Sequence, residues 1–309
     1  MIITLTVNPA IDRTITVDRL VFEDRAYITS SRESAGGRGI NASFVIHCFG
    51  GQTKAIVPAG GESGTHFEDL VKASGFELVV IPAHSGVRHN LIITDKQGLT
   101  IKLNEPGPPL EKAEVARMEK EIRAKLDGAS WLLICGSLPP GVPARFYAQL
   151  ITLARKRGVK TLLDADGDAL EVGIAAKPTV VKPNQQEAER LLKTALLTRT
   201  HFMHAVERIQ KMGAESVILS LGTQGAFGAF DHQMIEVVPP RVDAIAPIGA
   251  GDALAAAFAW AMERKDDFRD ALRWGVAAGT ASARLPGMRF ANLAQTEEIY
   301  KQVDVRQVE

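Results

Sequence analysis

The chain has 309 residues, 46% hydrophobic and 23% charged, an ordinary balance for a globular protein long enough to bury one large α/β core. Its 36 basic and 36 acidic residues cancel, which argues against nucleic acid or an anionic membrane as partner and leaves any anion site local. The two cysteines, Cys48 and Cys135, lack the spacing of a disulfide framework or zinc cluster and read as buried thiols acting as small hydrophobes.

The chain opens on a strand-like run, Ile2 to Val7, without a basic leader, and no apolar stretch approaches a membrane span, so a cytoplasmic, reducing setting is expected. Residues 11–32, with Ile15 to Val17 and Ala26 to Thr29, read as short strands joined by turns, as do residues 87–103, with Asn90 to Thr94 and Leu99 to Leu103. Together they predict a small antiparallel lid, bounded at about residues 11–38 and 86–104; an edge extension of the main sheet is the alternative. Further strands are expected at Lys54 to Val57, Leu78 to Ile81, Trp131 to Cys135, Lys160 to Leu163, Thr179 to Val181 and Ser216 to Leu219. Helical spacing of apolar residues marks Leu110 to Leu126, Ala144 to Arg157, Gln185 to Lys193 and His201 to Met212, two of them stopped by Gly158 and Gly213. This alternation predicts one domain, residues 1–309, built as a doubly wound, mainly parallel sheet flanked by helices.

The stretch richest in chemistry is Ile248-Gly249-Ala250-Gly251-Asp252, followed by the small apolar run Ala253 to Ala261. Bare backbone at the head of a helix offers N–H groups to an anion, and a carboxylate beside them can orient or deprotonate a nucleophile. Asp252 alone is equally well read as an acid favoured by the helix dipole. Gly36-Gly37-Arg38-Gly39-Ile40-Asn41 opens another helical run, where adjacent glycines let backbone lie against a polar ligand and Asn41 can bond hydroxyls. Lys182-Pro183-Asn184 leads to Glu187 where a strand gives way to a helix. Asn184 and Glu187 can organise a hydrated magnesium ion, although on spacing alone a capping box leads. Ser220, Gly222 and Gly225 form a turn suited to nucleotide phosphates or to a plain hairpin, and Gly136-Ser137 follows another strand in the same way. Loops at the carboxyl ends of parallel strands are where such sheets bind ligands. Neither G-x-x-x-x-G-K-[ST] nor an early G-x-G-x-x-G occurs, which argues against a Walker site and a dinucleotide-binding dehydrogenase.

In this order, Asn-Pro-Ala-Ile-Asp12, Gly-Gly-Arg-Gly-Ile-Asn41, Gly-Ser-Leu-Pro-Pro-Gly141, Lys-Pro-Asn184 with Glu187, Ser-Leu-Gly222 and Gly-Ala-Gly-Asp252 resemble the ribokinase-like, or PfkB-type, carbohydrate kinases across essentially the whole chain. Arg88-His89-Asn90 further resembles the branch that phosphorylates sugars already carrying a phosphate: 1-phosphofructokinase, tagatose-6-phosphate kinase and the minor 6-phosphofructokinase. The resemblance implies ATP and Mg2+ as cofactors, Asp252 as base, and the amides of Gly249, Ala250 and Gly251 as the anion hole for the γ-phosphoryl group. It implies that Asp12, Gly36, Gly37, Asn41, Asn90 and Ser137 face the sugar and that Arg25 and Arg88 clamp its existing phosphate. Lys182, Asn184, Ser220, Gly222 and Gly225 would then lie along the nucleotide, with Glu187 acting through magnesium-bound water.

Five positions depart from the family pattern. Arg38 replaces the commonest lysine, Tyr27 stands where a second basic residue is frequent, Asp166 replaces serine, and Ala246-Pro247 precedes the Gly-Ala-Gly-Asp turn. The expected activity is phosphorylation of a ketohexose monophosphate: fructose 1-phosphate, fructose 6-phosphate or tagatose 6-phosphate. A kinase of an unphosphorylated sugar or nucleoside, or a non-catalytic sugar-phosphate-binding protein, are the alternatives. Lid strands with exposed edges further predict a homodimer formed through the lid.

Overall fold

The computed structural model describes residues 1–21 and 23–308; Phe22, inside the first lid segment, and Glu309 lie outside the described residues. In chain order the first half runs β1 (Ile2–Thr6), β2 (Ala10–Val17), β3 (Ile28–Gly36), α1 (Arg38–Cys48), β4 (Thr53–Ala59), α2 (Gly61–Lys72), β5 (Glu77–Pro82), β6 (Arg88–Asp95), β7 (Thr100–Asn104) and α3 (Lys112–Lys125). It continues β8 (Trp131–Cys135), α4 (Arg145–Lys156), β9 (Lys160–Asp164), α5 (Gly167–Ala175), β10 (Val180–Val181), α6 (Gln185–Leu192), α7 (Arg199–Lys211) and β11 (Ser216–Ser220). The last part is β12 (Ala226–Phe230), β13 (Gln233–Val238), α8 (Ala250–Glu263), α9 (Phe268–Ala283), α10 (Leu293–Tyr300) and β14 (Asp304–Val308).

The main sheet has ten strands in the order β14-β13-β12-β11-β10-β9-β8-β1-β4-β5. From β11 to β5 every pairing is parallel, and β12, β13 and β14 extend that edge antiparallel. Strand β1 shows why both faces need helices: Ile3 and Leu5 pack into a core with α3 to α7, whereas Ile2 packs into a second core with α1 and α8 to α10. The expected doubly wound, mainly parallel architecture is the one observed.

The lid is a separate four-stranded sheet, β3-β2-β6-β7, so it does not extend the edge of the main one. Each of its hairpins, β2 with β3 and β6 with β7, is antiparallel, and the two hairpins join through a parallel β2/β6 pair. Strand β3 lies downstream of the expected Ala26 to Thr29, since the polar run Thr29 to Ser34 has no apolar alternation to announce it and takes its conformation from pairing with β2. Among the cysteines, Cys135 is buried as expected, whereas Cys48 is exposed at the last residue of α1; both are free.

Candidate active site

The site lies beyond the carboxyl ends of β1, β8, β9, β10 and β11, with the lid over it. The head of α8 sets its centre. Gly249 caps that helix at φ 79°, a left-handed conformation that costs a side-chain-bearing residue energy. Asp252 therefore falls in the first turn, and its Oδ2 accepts a hydrogen bond from Nδ2 of Asn41 at 2.7 Å. Burial, and then the charge of Asp164, raise the Asp252 pKa to about 6, against the opposing pull of Arg38, the Asn41 hydrogen bond and Lys182. A carboxyl whose pKa is raised to about 6 replaces the ordinary ionised aspartate that a helix N-terminus alone would give. In the turn before it, Ala250 donates its amide to the Pro247 carbonyl at 3.3 Å, so among the described residues the open donors of this turn are the Gly249, Gly251 and Asp252 amides.

Below this turn lies an ion network that joins three strand ends. Arg38, at the start of α1, donates Nη1 to Asp164 Oδ1 at 2.7 Å and Nη2 to Glu187 Oε1 at 2.9 Å, with Asp166 Oδ2 at 3.9 Å. Asp164 also holds the buried ammonium of Lys182 at 3.1 Å. That ammonium sits beneath the anion turn, 3.7 Å from where a Cβ on Gly251 would project. Lys182 thus places a buried positive charge beside this turn. The Arg38 and Asp166 departures face each other, so the negative charge that Asp166 adds lies beside a guanidinium.

Glu187 and Asn184 form the capping box of α6. The Glu187 amide donates to Asn184 Oδ1 at 2.8 Å, and the Asn184 amide donates to Glu187 Oε2 at 2.8 Å. With Arg38 on its other oxygen, Glu187 keeps only second lone pairs. These suit water around a magnesium ion, not direct ligation. Among the described residues no group of three or more His, Cys, Asp or Glu could hold a metal ion by itself, so any magnesium here must lean on the ligand's own phosphates.

On one side of Asp252 opens a cleft of about 730 Å³ lined by Lys182, Asn184, Ser220, Gly222, Gly225 and the Gly249–Asp252 turn. Its far wall, Pro239, Val242, Val276 and Ala283 among others, was not singled out from sequence. The small residues Val276, Gly279, Thr280 and Ala283, three and four apart on α9, were the available signal.

On the other side the lid closes the site. Asp12 is 5% exposed and its Oδ1 accepts from Asn90 Nδ2 at 2.8 Å. Burial raises its pKa, against that hydrogen bond and the charges of Arg88 and Lys102. A Cβ on Gly36 would stand 1.9 Å from Asp12 Oδ2, so only glycine permits this approach of β3. Gly37 follows as the cap of α1. Arg88 donates Nη1 to the Glu105 carbonyl at 2.7 Å and Nη2 to the Asn8 carbonyl at 3.2 Å, and Asn8 also donates to Ser137 Oγ at 3.2 Å. Arg88 Nε and Asn90 Oδ1 are buried with no partner. One is an orphaned donor and the other an orphaned acceptor, a pair that a polar ligand would satisfy. Arg25 is exposed on the connection between β2 and β3 and makes none of these side-chain contacts among the described residues. The structure brings together every other expected site residue, and adds Lys102 of β7, which lines the cleft and was not foreseen.

Comparison with known proteins agrees with this geometry. Residues 5–295 match the family described as pfkB family carbohydrate kinase. The chain is 32% identical over 302 residues to ATP-dependent 6-phosphofructokinase isozyme 2 of Escherichia coli (strain K12), covering 97% of each chain. The crystal structure of phosphofructokinase-2 from Escherichia coli in complex with substrates and products superposes with TM-score 0.90 at 33% identity, over 97% of this chain and 98% of that one. The tetrameric inhibited form of that enzyme gives TM-score 0.88 at 32% identity over the same shares.

Proposed function

Because the chain belongs to the pfkB family of carbohydrate kinases, we propose that it transfers the γ-phosphoryl group of ATP to a hydroxyl of a ketohexose monophosphate. The observation that carries this reading is the arrangement about Asp252: an apolar-walled cleft lies on one side, and the unpartnered Arg88 Nε and Asn90 Oδ1 on the other. The adenine would take the wall formed by Val242, Val276 and Ala283, and the phosphates would run along Ser220, Gly222, Gly225 and Asn184 to the Gly251 and Asp252 amides. Magnesium bound with the nucleotide supplies charge neutralisation; Glu187 would hold it through water.

Asp252, anchored by Asn41, takes the proton of the attacking hydroxyl as its oxygen bonds phosphorus. Phosphoryl transfer passes through a loose transition state, so alignment and charge dominate, and a base near pH 6 is strong enough. Asp12, Gly36, Gly37 and Ser137 hold the sugar, while Arg88 binds its phosphate with donors left free by the Asn8 and Glu105 carbonyls, helped by Arg25 from the exposed lid loop. The name of the Escherichia coli relative favours fructose 6-phosphate.

We also assign a homodimer through the lid. Val21, Tyr27, Ile28, Leu99 and Leu103 are five of the eight large apolar side chains exposed among the described residues, and all five lie on the lid. A patch of this kind calls for a partner surface, and the unpaired edges of β3 and β7 add to it. The free thiols of Cys48 and Cys135 suit a cytoplasmic setting, and among the described residues no helix is long and apolar enough to cross a membrane.

Release of ADP from Mg-ATP with fructose 1-phosphate, fructose 6-phosphate, tagatose 6-phosphate, free fructose, ribose and adenosine tests the activity. The highest kcat/KM is expected for one of the three phosphosugars. Turnover of free sugar or nucleoside alone would remove the phosphate clamp, and no turnover at all would leave a sugar-phosphate sensor.

A further inference from the structure

Lys102 stands where the two halves of the site meet. In-register partners share a face of a sheet, so the pairs Asp12 with Asn90, Asn90 with Asn104 and Ile92 with Lys102 place Lys102 on the lid face that carries Asp12 and Asn90. Its neighbours Ile101 and Leu103 point the other way. Among the described residues, Lys102 is also the one lid side chain lining the cleft assigned to the nucleotide, together with Gly249, Ala250, Gly251 and Asp252.

The other cations around the catalytic carboxylate are already held. Arg38 is committed to Asp164 and Glu187, Lys182 to Asp164, and Arg88 to two backbone carbonyls. The Lys102 ammonium, by contrast, has no hydrogen bond or ion pair among the described residues. Desolvation lowers its pKa, while the charges of Asp252 and then Asp12 act the other way. It therefore feels the base and the sugar-binding carboxylate together, as a group between them must.

Resting on the kinase reading above, we propose that Lys102 is a catalytic residue whose ammonium binds the phosphoryl group in transit between ATP and the sugar hydroxyl. In the step, the hydroxyl oxygen forms its bond to the γ-phosphorus, the bond from that phosphorus to the bridging oxygen of ADP breaks, and the hydroxyl proton goes to Asp252. Lys102 stays protonated throughout and meets charge on the equatorial oxygens. The lid then does more than exclude water: one of its own strands delivers a cation to the reacting centre.

The test compares wild type, Lys102→Met and Lys102→Arg with the phosphosugar that wild type turns over best. Lys102→Met keeps the length of the side chain and removes its charge. We expect kcat to fall on the order of 10²-fold, as for loss of one charge-stabilising donor, with KM for ATP and sugar phosphate within about threefold. Lys102→Arg should recover roughly tenfold of that loss. By calorimetry, the complex with MgADP, aluminium fluoride and sugar phosphate should weaken in Lys102→Met, while MgADP alone binds as in wild type. Unchanged kcat would overturn the proposal, as would a raised sugar-phosphate KM at constant kcat, which would assign Lys102 to the substrate's existing phosphate. A wild type inert with every phosphosugar would overturn the kinase reading itself, an outcome distinct from an active wild type indifferent to Lys102→Met.

Discussion

The two sides of Asp252 are built differently. Toward the nucleotide, charge is locked in place: Asp164, Lys182, Glu187 and Arg38 satisfy one another, and three of the four side chains are almost wholly buried. Toward the sugar, β6 presents Arg88 Nε and Asn90 Oδ1, which no group among the described residues satisfies, on a sheet that also exposes large apolar side chains. A rigid, self-neutralising donor side can serve any kinase using the same nucleotide. On the reading proposed above, the lid side, with orphaned Arg88 Nε and Asn90 Oδ1, would be where choice of substrate resides.

Removing the base should affect both sides at once. Asp252→Asn is expected to lower kcat on the order of 10³-fold while calorimetry still detects binding of Mg-ATP and of sugar phosphate. On the locked side, Arg38→Ala would leave Glu187 buried without its cation and Asp164 with Lys182 alone. It should cost roughly 3 kcal/mol of stability, seen as a lower thermal midpoint and urea midpoint, and an unchanged midpoint would show that the network is idle. On the open side, Arg88→Met should leave the fold intact and raise the KM for the phosphosugar on the order of 10²-fold, with the KM for ATP changed by less than about threefold. An equal loss for both substrates would erase the division drawn here.

The pH profile sharpens the same contrast. Since the Asp252 pKa is raised to about 6, kcat/KM should fall tenfold per unit as pH drops below that value. The sign for stability is opposite. A carboxyl raised in the folded state stabilises the fold at low pH, and this stability is lost as pH rises through about 6. Asp252→Asn should therefore melt no lower than wild type at pH 8. Smallest of all, Asp166→Ser should shift stability by less than about 0.5 kcal/mol, because its contact with Arg38 is 3.9 Å long and Asp166 is 41% exposed.

Much of this was legible in the chain. Seven parallel strands and the helices between them follow from apolar periodicity, because a strand covered on both faces must be apolar throughout. The segment Ile248 to Asp252 declared a helix head suited to an anion, and Asp12, Asn41 and Asn90 were named before their contacts could be. Strand β3 was misplaced because Thr29 to Ser34 has no pattern of its own and is ordered by β2. The capping box of Asn184 and Glu187, which spacing favoured, is formed; the hold of Arg38 on the other Glu187 oxygen, from a distant element, was not legible. Arg25 was grouped with Arg88 through the family resemblance, and the fold places it exposed on a loop.

The sequence by itself determined which backbone could form: local alternation fixes strands and helices, and glycines fix the positions where the chain must turn or approach closely, at Gly36 and Gly249. Only the tertiary structure decided which charges meet. Arg38, Asp164 and Glu187 come from separate elements and neutralise one another through a sheet crossover, Lys102 reaches the cleft through the register of β6 and β7, and the Asp252 pKa depends on burial and on Asp164. Coulomb and desolvation energies depend on distance in space and on exclusion of water, and neither quantity is a property of neighbours along the chain.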